Sequence, residues 1–252
     1  QTPGFEAVEY QRFDPAGIGD DQTRRYARPL AAPDGRAVAF FVVDKADGTI
    51  ALWLAGWDLP PREVARWPGV TEAETRVPPV AAWIDAGTLV YAAPEAWREG
   101  LPQRVTLYRV TLRDAEPTPL LTLRAHGADR GVAVTDLAAA PDGAWLAYRV
   151  RHFGTGGAAA DSLHLAPAHD VTQALEAARG EAAEGMAWSP DGRWLAAALD
   201  DRVLLLTADG RTTVPLTGPA TAASYPLWVA DDEVWFTLDE GRGPRIMRVR
   251  LR

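Results

Sequence analysis

Cysteine and asparagine are absent from this 252-residue chain, and Lys45 is the one lysine among 26 Lys and Arg residues. Without cysteine there is no disulfide, no thiolate zinc site and no cysteine nucleophile. Scarcity of Lys and Asn beside abundant Ala, Gly, Arg and Pro is the codon signature of a GC-rich bacterial genome, and it also fits avoidance of heat-labile residues. No apolar stretch reaches the ~18 residues that cross a bilayer; the longest clean runs, such as Val203 to Leu206 within Arg202 to Ala208, are strand-sized, so a soluble chain is expected. The net charge of -8 and the lack of any dense basic run exclude nucleic acid as the expected partner. The chain begins Gln1-Thr2-Pro3-Gly4 with neither signal peptide nor initiator methionine, which leads us to expect a mature periplasmic or secreted protein.

What the sequence does contain is a repeat. Met186 to Thr217 reads MAWSPDGRWLAAALDDRVLLLTADGRTTVPLT, four short strands separated by the turns Pro190-Asp191-Gly192, Asp200-Asp201 and Asp209-Gly210. In the first of these turns proline presets φ and glycine accepts a positive one. The same frame recurs at Pro33-Asp34-Gly35 and Pro141-Asp142-Gly143, and in degenerate form around Asp85 and Asp231. The five turn aspartates are spaced by 51, 57, 49 and 40 residues, the size of propeller blades. Third strands follow in register at Ile50 to Leu54, Val105 to Val110, Ser162 to Leu165, Val203 to Leu206 and Ile246 to Leu251.

The expected fold is therefore all-β: a single β-propeller over residues 1–252, with about five four-stranded blades. The fifth repeat lacks a fourth strand, and Phe5 to Phe13 looks like a strand without a blade. Pairing Phe5–Phe13 with Arg245–Arg252 is expected to close the ring and remove an exposed edge. No interval has room for a sixth motif. The least regular stretch, Asp170 to Gly185, is Ala/Glu-rich and reads as a short helix or a surface excursion.

An aromatic followed by Ser-Pro-Asp-Gly-Arg, as in Trp188 to Arg193, with further Pro-Asp-Gly copies at Pro33 and Pro141, resembles the TolB-type repeat. The resemblance spans Tyr26 to Leu238, although the second and fifth copies lack the triplet. It implies a rigid disc that binds other proteins, often in the bacterial envelope, with no chemistry of its own. Similar repeats build the gating propeller of prolyl oligopeptidases, but no Gly-x-Ser-x-Gly elbow occurs here.

Candidate chemistry is sparse. His126, His152, His164 and His169 have no ligand spacing, so neither a metal nor another cofactor is expected. Asp34, Asp85, Asp142, Asp191 and Asp231 recur in every blade and so read as turn caps. The pairs Asp20-Asp21, Asp200-Asp201 and Asp231-Asp232 lack the alternating donors of a calcium loop. Trp83, Trp188 and Trp228 precede the turns and read as spacers between blades. Trp57, Trp67 and Trp97 fall outside the frame and are candidates for an exposed aromatic binding patch.

Aligning the blades on the turn aspartate places Arg28, Pro79, Asp136, Gly185 and Tyr225 at one position of the channel mouth. Arg28, Asp136 and Tyr225 suit a polar partner segment, or else satisfy one another. The alternation Arg248, Arg250, Arg252 reads as a solvated face. The function expected is a non-catalytic module binding a protein or peptide at the mouth or loop face. The alternatives are a five-bladed glycosidase using Asp136 and Glu184, or a small-ligand sensor using the channel.

Overall fold

The computed structural model describes residues 24–251 except 58, 69–76, 78, 115, 156–158, 182, 183, 219–221, 240 and 242. Five antiparallel sheets follow one another along the chain. The first blade is β1 (Arg24–Ala31), β2 (Ala37–Asp44), β3 (Thr49–Gly56) and β4 (Leu59–Pro68). The second is β5 (Ala81–Trp83), β6 (Thr88–Arg98), β7 (Leu101–Thr111) and β8 (Thr118–Arg124). The third is β9 (Gly131–Ala139), β10 (Trp145–Phe153), β11 (Ala159–Pro167) and β12 (Leu175–Glu181). The fourth is β13 (Met186–Trp188), β14 (Trp194–Leu199), β15 (Arg202–Thr207) and β16 (Thr213–Pro215), and the fifth is β17 (Ala223–Ala230), β18 (Glu233–Asp239) and β19 (Pro244–Arg250). Each sheet is a simple meander in chain order, and the whole is a five-bladed β-propeller.

All five turn aspartates lie between the first and second strands of their blades. In four of them the carboxylate accepts an amide two residues on: Asp34 from Arg36 at 2.9 Å, Asp85 from Gly87 at 2.7 Å, Asp142 from Ala144 at 2.9 Å and Asp191 from Arg193 at 3.1 Å. Gly35, Gly143 and Gly192 adopt φ of 69°, 70° and 70°, the left-handed conformation that L side chains resist. Blade 5 has dispensed with the triplet and turns on a tighter hairpin, pairing Ala230 with Glu233.

Between consecutive blades lie apolar seams. Phe41, Leu52, Trp83 and Leu89 fill the first, and Val90, Leu107, Leu146 and Tyr148 the second. Ala147, Leu163, Trp188 and Leu195 fill the third, and Val203, Trp228, Val234 and Phe236 the fourth. Inner blades are covered on both faces, which is why Leu195 to Leu199 is an unbroken buried run instead of an alternating one. At about 1.5–3 kcal/mol for each large apolar side chain buried, these seams hold the blades together.

The Ala/Glu-rich stretch departs from expectation. Only Val171–Gln173 forms a helical turn, a 3₁₀ turn capped by Asp170, and most of the rest is the outer strand β12 paired with β11. Ladder hydrogen bonds to β11 outweigh a helix propensity worth only tenths of a kcal/mol per residue. The last sheet has three described strands, with β19 third, as its sequence frame requires. The proposed partner strand Phe5–Phe13 lies outside the described residues.

Candidate binding site at the channel mouth

At four of the five positions six residues before the turn aspartates the inner segments break their regularity. Arg28, Gly185 and Tyr225 have φ of 52°, 95° and 51°. Register shifts fall between Ala27 and Leu30 in β1 and between Ser224 and Leu227 in β17, and opposite β9 between Arg149 and Val150. Non-glycine residues with positive φ carry strain, and bulges re-aim side chains, so blades break regularity here at a cost to themselves.

These positions meet one another. Arg28 Nη1 donates to the Pro79 carbonyl at 3.2 Å, joining the equivalent positions of blades 1 and 2. The Tyr225 amide donates to the Glu184 carbonyl at 2.8 Å, and the Tyr225 hydroxyl donates to the Glu184 carboxylate. A Cβ on Gly185 would come within 2.7 Å of Tyr225 Cα, so blades 4 and 5 meet backbone to backbone at this level. Asp136 responds to all of this: burial raises its pKa above the ordinary carboxylate value, the Arg149 and Arg28 charges pull it back, and Glu184 pushes it further up.

At the same level lies Arg149 of β10, 2% exposed, which is paired with Asp136 across the β9–β10 ladder. Its guanidinium donates to Ala198 O at 2.8 Å and Gly185 O at 3.0 Å in blade 4, and lies 3.7 Å from the buried Asp161 carboxylate. Arg151 grips the same Asp161 with two bonds of 2.8 and 2.9 Å. Arg149 was not among the residues the frame singled out. The signal that would have found it is a charged residue in the midst of the apolar strand Leu146 to Val150.

The other expected residues separate. Trp67 is 6% exposed, stacked with Tyr91 and edge-on to Phe41 in the first seam, so it belongs to the core and not to a surface patch. Trp97 packs half-buried against Val77, Leu101, Ala133 and Phe153. Only Trp57 of the three is exposed, at 50%. The histidines serve local structure: His152 pairs with Asp129 at 3.0 Å, while His164 stacks on Tyr148 and bonds Ser162 at 2.9 Å. Ser162 is 1% exposed, which bars substrate from that serine–histidine pair. No group of three or more His, Asp and Glu suited to a metal occurs among the described residues, and no helix there is long and apolar enough to cross a membrane.

The WD domain, G-beta repeat family matches residues 177–206, one blade's worth of sequence running from the outer strand of blade 3 through the third strand of blade 4. The fold is shared with peptidase propellers. Dipeptidyl peptidase 4 of Porphyromonas gingivalis superimposes with a TM-score of 0.61 at 12% identity over 89% of this chain and 37% of its own. Prolyl oligopeptidase B of Galerina marginata gives 0.63 at 10% identity over 94% and 35%. The β-propeller domain of the Trilobed protease from Pyrococcus furiosus, described as having an open velcro topology, gives 0.54 at 12% identity over 89% and 68%. The chain thus spans little more than a third of those two peptidase chains, and identities this low speak for the fold alone. No curated protein sequence matches it.

Proposed function

We propose that this chain is a non-catalytic, TolB-like propeller scaffold of the bacterial envelope that docks a protein or peptide segment at its channel mouth. The observation that supports this reading is the convergence of blade-specific Arg28, Asp136, Glu184 and Tyr225 at a level where inner strands of blades 1, 3 and 5 break register. A residue needed by the blade recurs in every blade, whereas these differ, and they offer a cation, two carboxylates and a phenol to a polar segment. Function must be argued from such a site because the propeller fold hosts many unrelated ones.

Glycoside hydrolysis is the second reading, and it draws on the burial-raised Asp136 beside Glu184. Against it, the Tyr225 hydroxyl engages Glu184, and the buried Arg149 charge acts on Asp136.

The test is affinity capture from envelope and cytosolic lysates, comparing the native chain with an Arg28→Ala, Asp136→Ala, Tyr225→Ala variant whose circular dichroism spectrum is unchanged. A specific envelope protein retained by the native chain and reduced at least about tenfold with the variant, a loss of about 1.4 kcal/mol, is the expected result. Equal retention by both would place binding elsewhere, and turnover of aryl glycosides abolished by Asp136→Asn would favour the hydrolase.

A further inference from the structure

In every blade the residue that follows the third strand donates its amide to a carbonyl at the first turn. Trp57 donates to Arg36 at 3.0 Å, Leu112 to Gly87 at 2.8 Å, Ala168 to Ala144 at 2.9 Å, Ala208 to Arg193 at 2.9 Å and Leu251 to Asp232 at 2.7 Å. Leu112, Ala168, Ala208 and Leu251 all pack into the apolar seams. Trp57 alone turns outward, half exposed, its indole Nε1 donating to Gly35 O at 3.3 Å. Alanine suffices for the blade at two of the five equivalent places, so the blade does not require this tryptophan.

The indole forms one wall of a cleft of about 700 Å³ between blades 1 and 2, on the turn face opposite the mouth. That volume lies in the range of ligand sites. The far wall, Thr111 to Asp114, is fastened to blade 1 by Arg62, whose Nη2 donates to Thr111 O at 2.7 Å, Leu112 O at 3.2 Å and Asp114 O at 3.3 Å. Both acids of the cleft serve their own turns, Asp34 accepting from the Arg36 amide and Asp114 from the Thr111 hydroxyl at 3.1 Å. Arg36 and Arg113 line it too, and the Arg113 guanidinium makes no ion pair among the described residues. Thr88, Thr111 and Asp114 also line a second, adjoining cleft of about 370 Å³ between blades 2 and 3, to which Asp85, Arg109 and Glu116 contribute. Two adjoining clefts, the larger lined by an exposed indole together with the Arg36 and Arg113 guanidiniums, favour an extended chain over a compact molecule.

We propose that these clefts bind an extended segment of a partner protein carrying an aromatic or prolyl ring beside a carboxylate. The ring stacks on Trp57, as indole faces favour, and the carboxylate meets Arg113 with Arg36 nearby. This site is independent of the mouth and stands or falls separately.

The test is fluorescence polarisation with the full chain and a panel of labelled hexapeptides that set Trp, Tyr, Phe or Pro next to Glu, alongside counterparts with Lys in place of Glu. Saturable binding of at least one acidic peptide is expected, weakened at least about tenfold by Trp57→Ala, as truncating an interface aromatic does. Arg113→Glu and the Lys counterparts should each weaken it about tenfold, while Trp57→Phe keeps most of it and the Arg28→Ala, Tyr225→Phe variant binds as the native chain does. Ala168 and Ala208 show that alanine is tolerated structurally, and melting curves verify it for Trp57→Ala. No saturable binding across the panel, undiminished binding by Trp57→Ala, or loss confined to the mouth variant would each overturn the proposal.

Discussion

The turn tryptophans show how one residue type at one position serves its blade unequally. Trp83 Nε1 donates to Leu30 O at 2.9 Å and Trp188 Nε1 to Ala138 O at 3.1 Å, each reaching back to the inner strand of the preceding blade. Trp228 is as buried, yet its Nε1 finds no acceptor among the described residues. Trp188→Phe strands a carbonyl and should cost about 1 kcal/mol more in urea unfolding than Trp228→Phe, which frees the fold of an unsatisfied donor. Asp136 makes a second prediction. Because burial raises its folded pKa above the unfolded value of 3.8, the folded state holds its proton to higher pH. Stability from this group therefore falls as pH rises from 3.8 through the folded value. Melting temperatures of Asp136→Asn relative to the native chain should improve as pH rises above 3.8 and level off once pH has passed the folded value, and a difference flat throughout would refute the assignment. The turn acids run the other way. Hydrogen bonds, from Ser189 to Asp191 and from Thr207 to Asp209, hold both carboxyls below the ordinary value. Their support is present above 3.8 and lost only as pH falls through the lower folded values.

At the scale of elements, the Pro-Asp-Gly turns stack from blade to blade. A Cβ on Gly143 would lie 2.6 Å from Ile84 O of the preceding blade, and one on Gly192 would lie 3.3 Å from the Asp142 carboxyl, while one on Gly35 meets nothing within 4 Å. All three glycines have the same φ, so the matched pair Gly35→Ala and Gly143→Ala separates conformation from contact. The first should cost about 1–2 kcal/mol for the left-handed backbone, and the second visibly more, read as a larger drop in denaturation midpoint. The Asp200-Asp201 hairpin, with φ of 50° and 56°, is a turn in which glycine or asparagine is usual. Asp200 explains itself by accepting the Glu181 amide of β12 at 2.5 Å. That bond helps decide why an Ala/Glu-rich segment is a strand, and nothing local in the sequence announced it.

For the whole molecule the seams are unequal in what they tie together. Arg149 links blades 3 and 4 through the Ala198 and Gly185 carbonyls and its charge offsets Asp136 and the buried Asp161, so Arg149→Ala takes the guanidinium from both carbonyls, leaves those acids less compensated and should cost about 3–5 kcal/mol. Hydrogen exchange should report the same loss at the Ala198 amide, which is bonded to Gly185 O. At the end of the array, Leu227, Val229, Trp235 and Ile246 are exposed on the face of blade 5 turned away from blade 4, Ile246 at 72%. An apolar face of this kind promotes association. Ile246→Lys should leave the melting temperature nearly unchanged, within about 0.5 kcal/mol, and lower self-association in light scattering.

The blade number, four of the five turn caps (not Asp231), the third strands and the buried role of Trp83, Trp188 and Trp228 were legible in the sequence. Each depends on local chemistry repeated at a fixed spacing: proline and glycine dihedrals, an aspartate bonding two residues on, and apolar strands of one length. Only the tertiary structure decided that Trp67 is core and Trp57 surface, that Asp170 to Gly185 yields an outer strand, and that Arg149 lies opposite Asp136 and reaches Gly185 O. Those outcomes depend on which neighbouring blade covers a side chain or offers a backbone partner. Contacts between blades join residues about 50 positions apart, a separation at which spacing within one repeat carries no information.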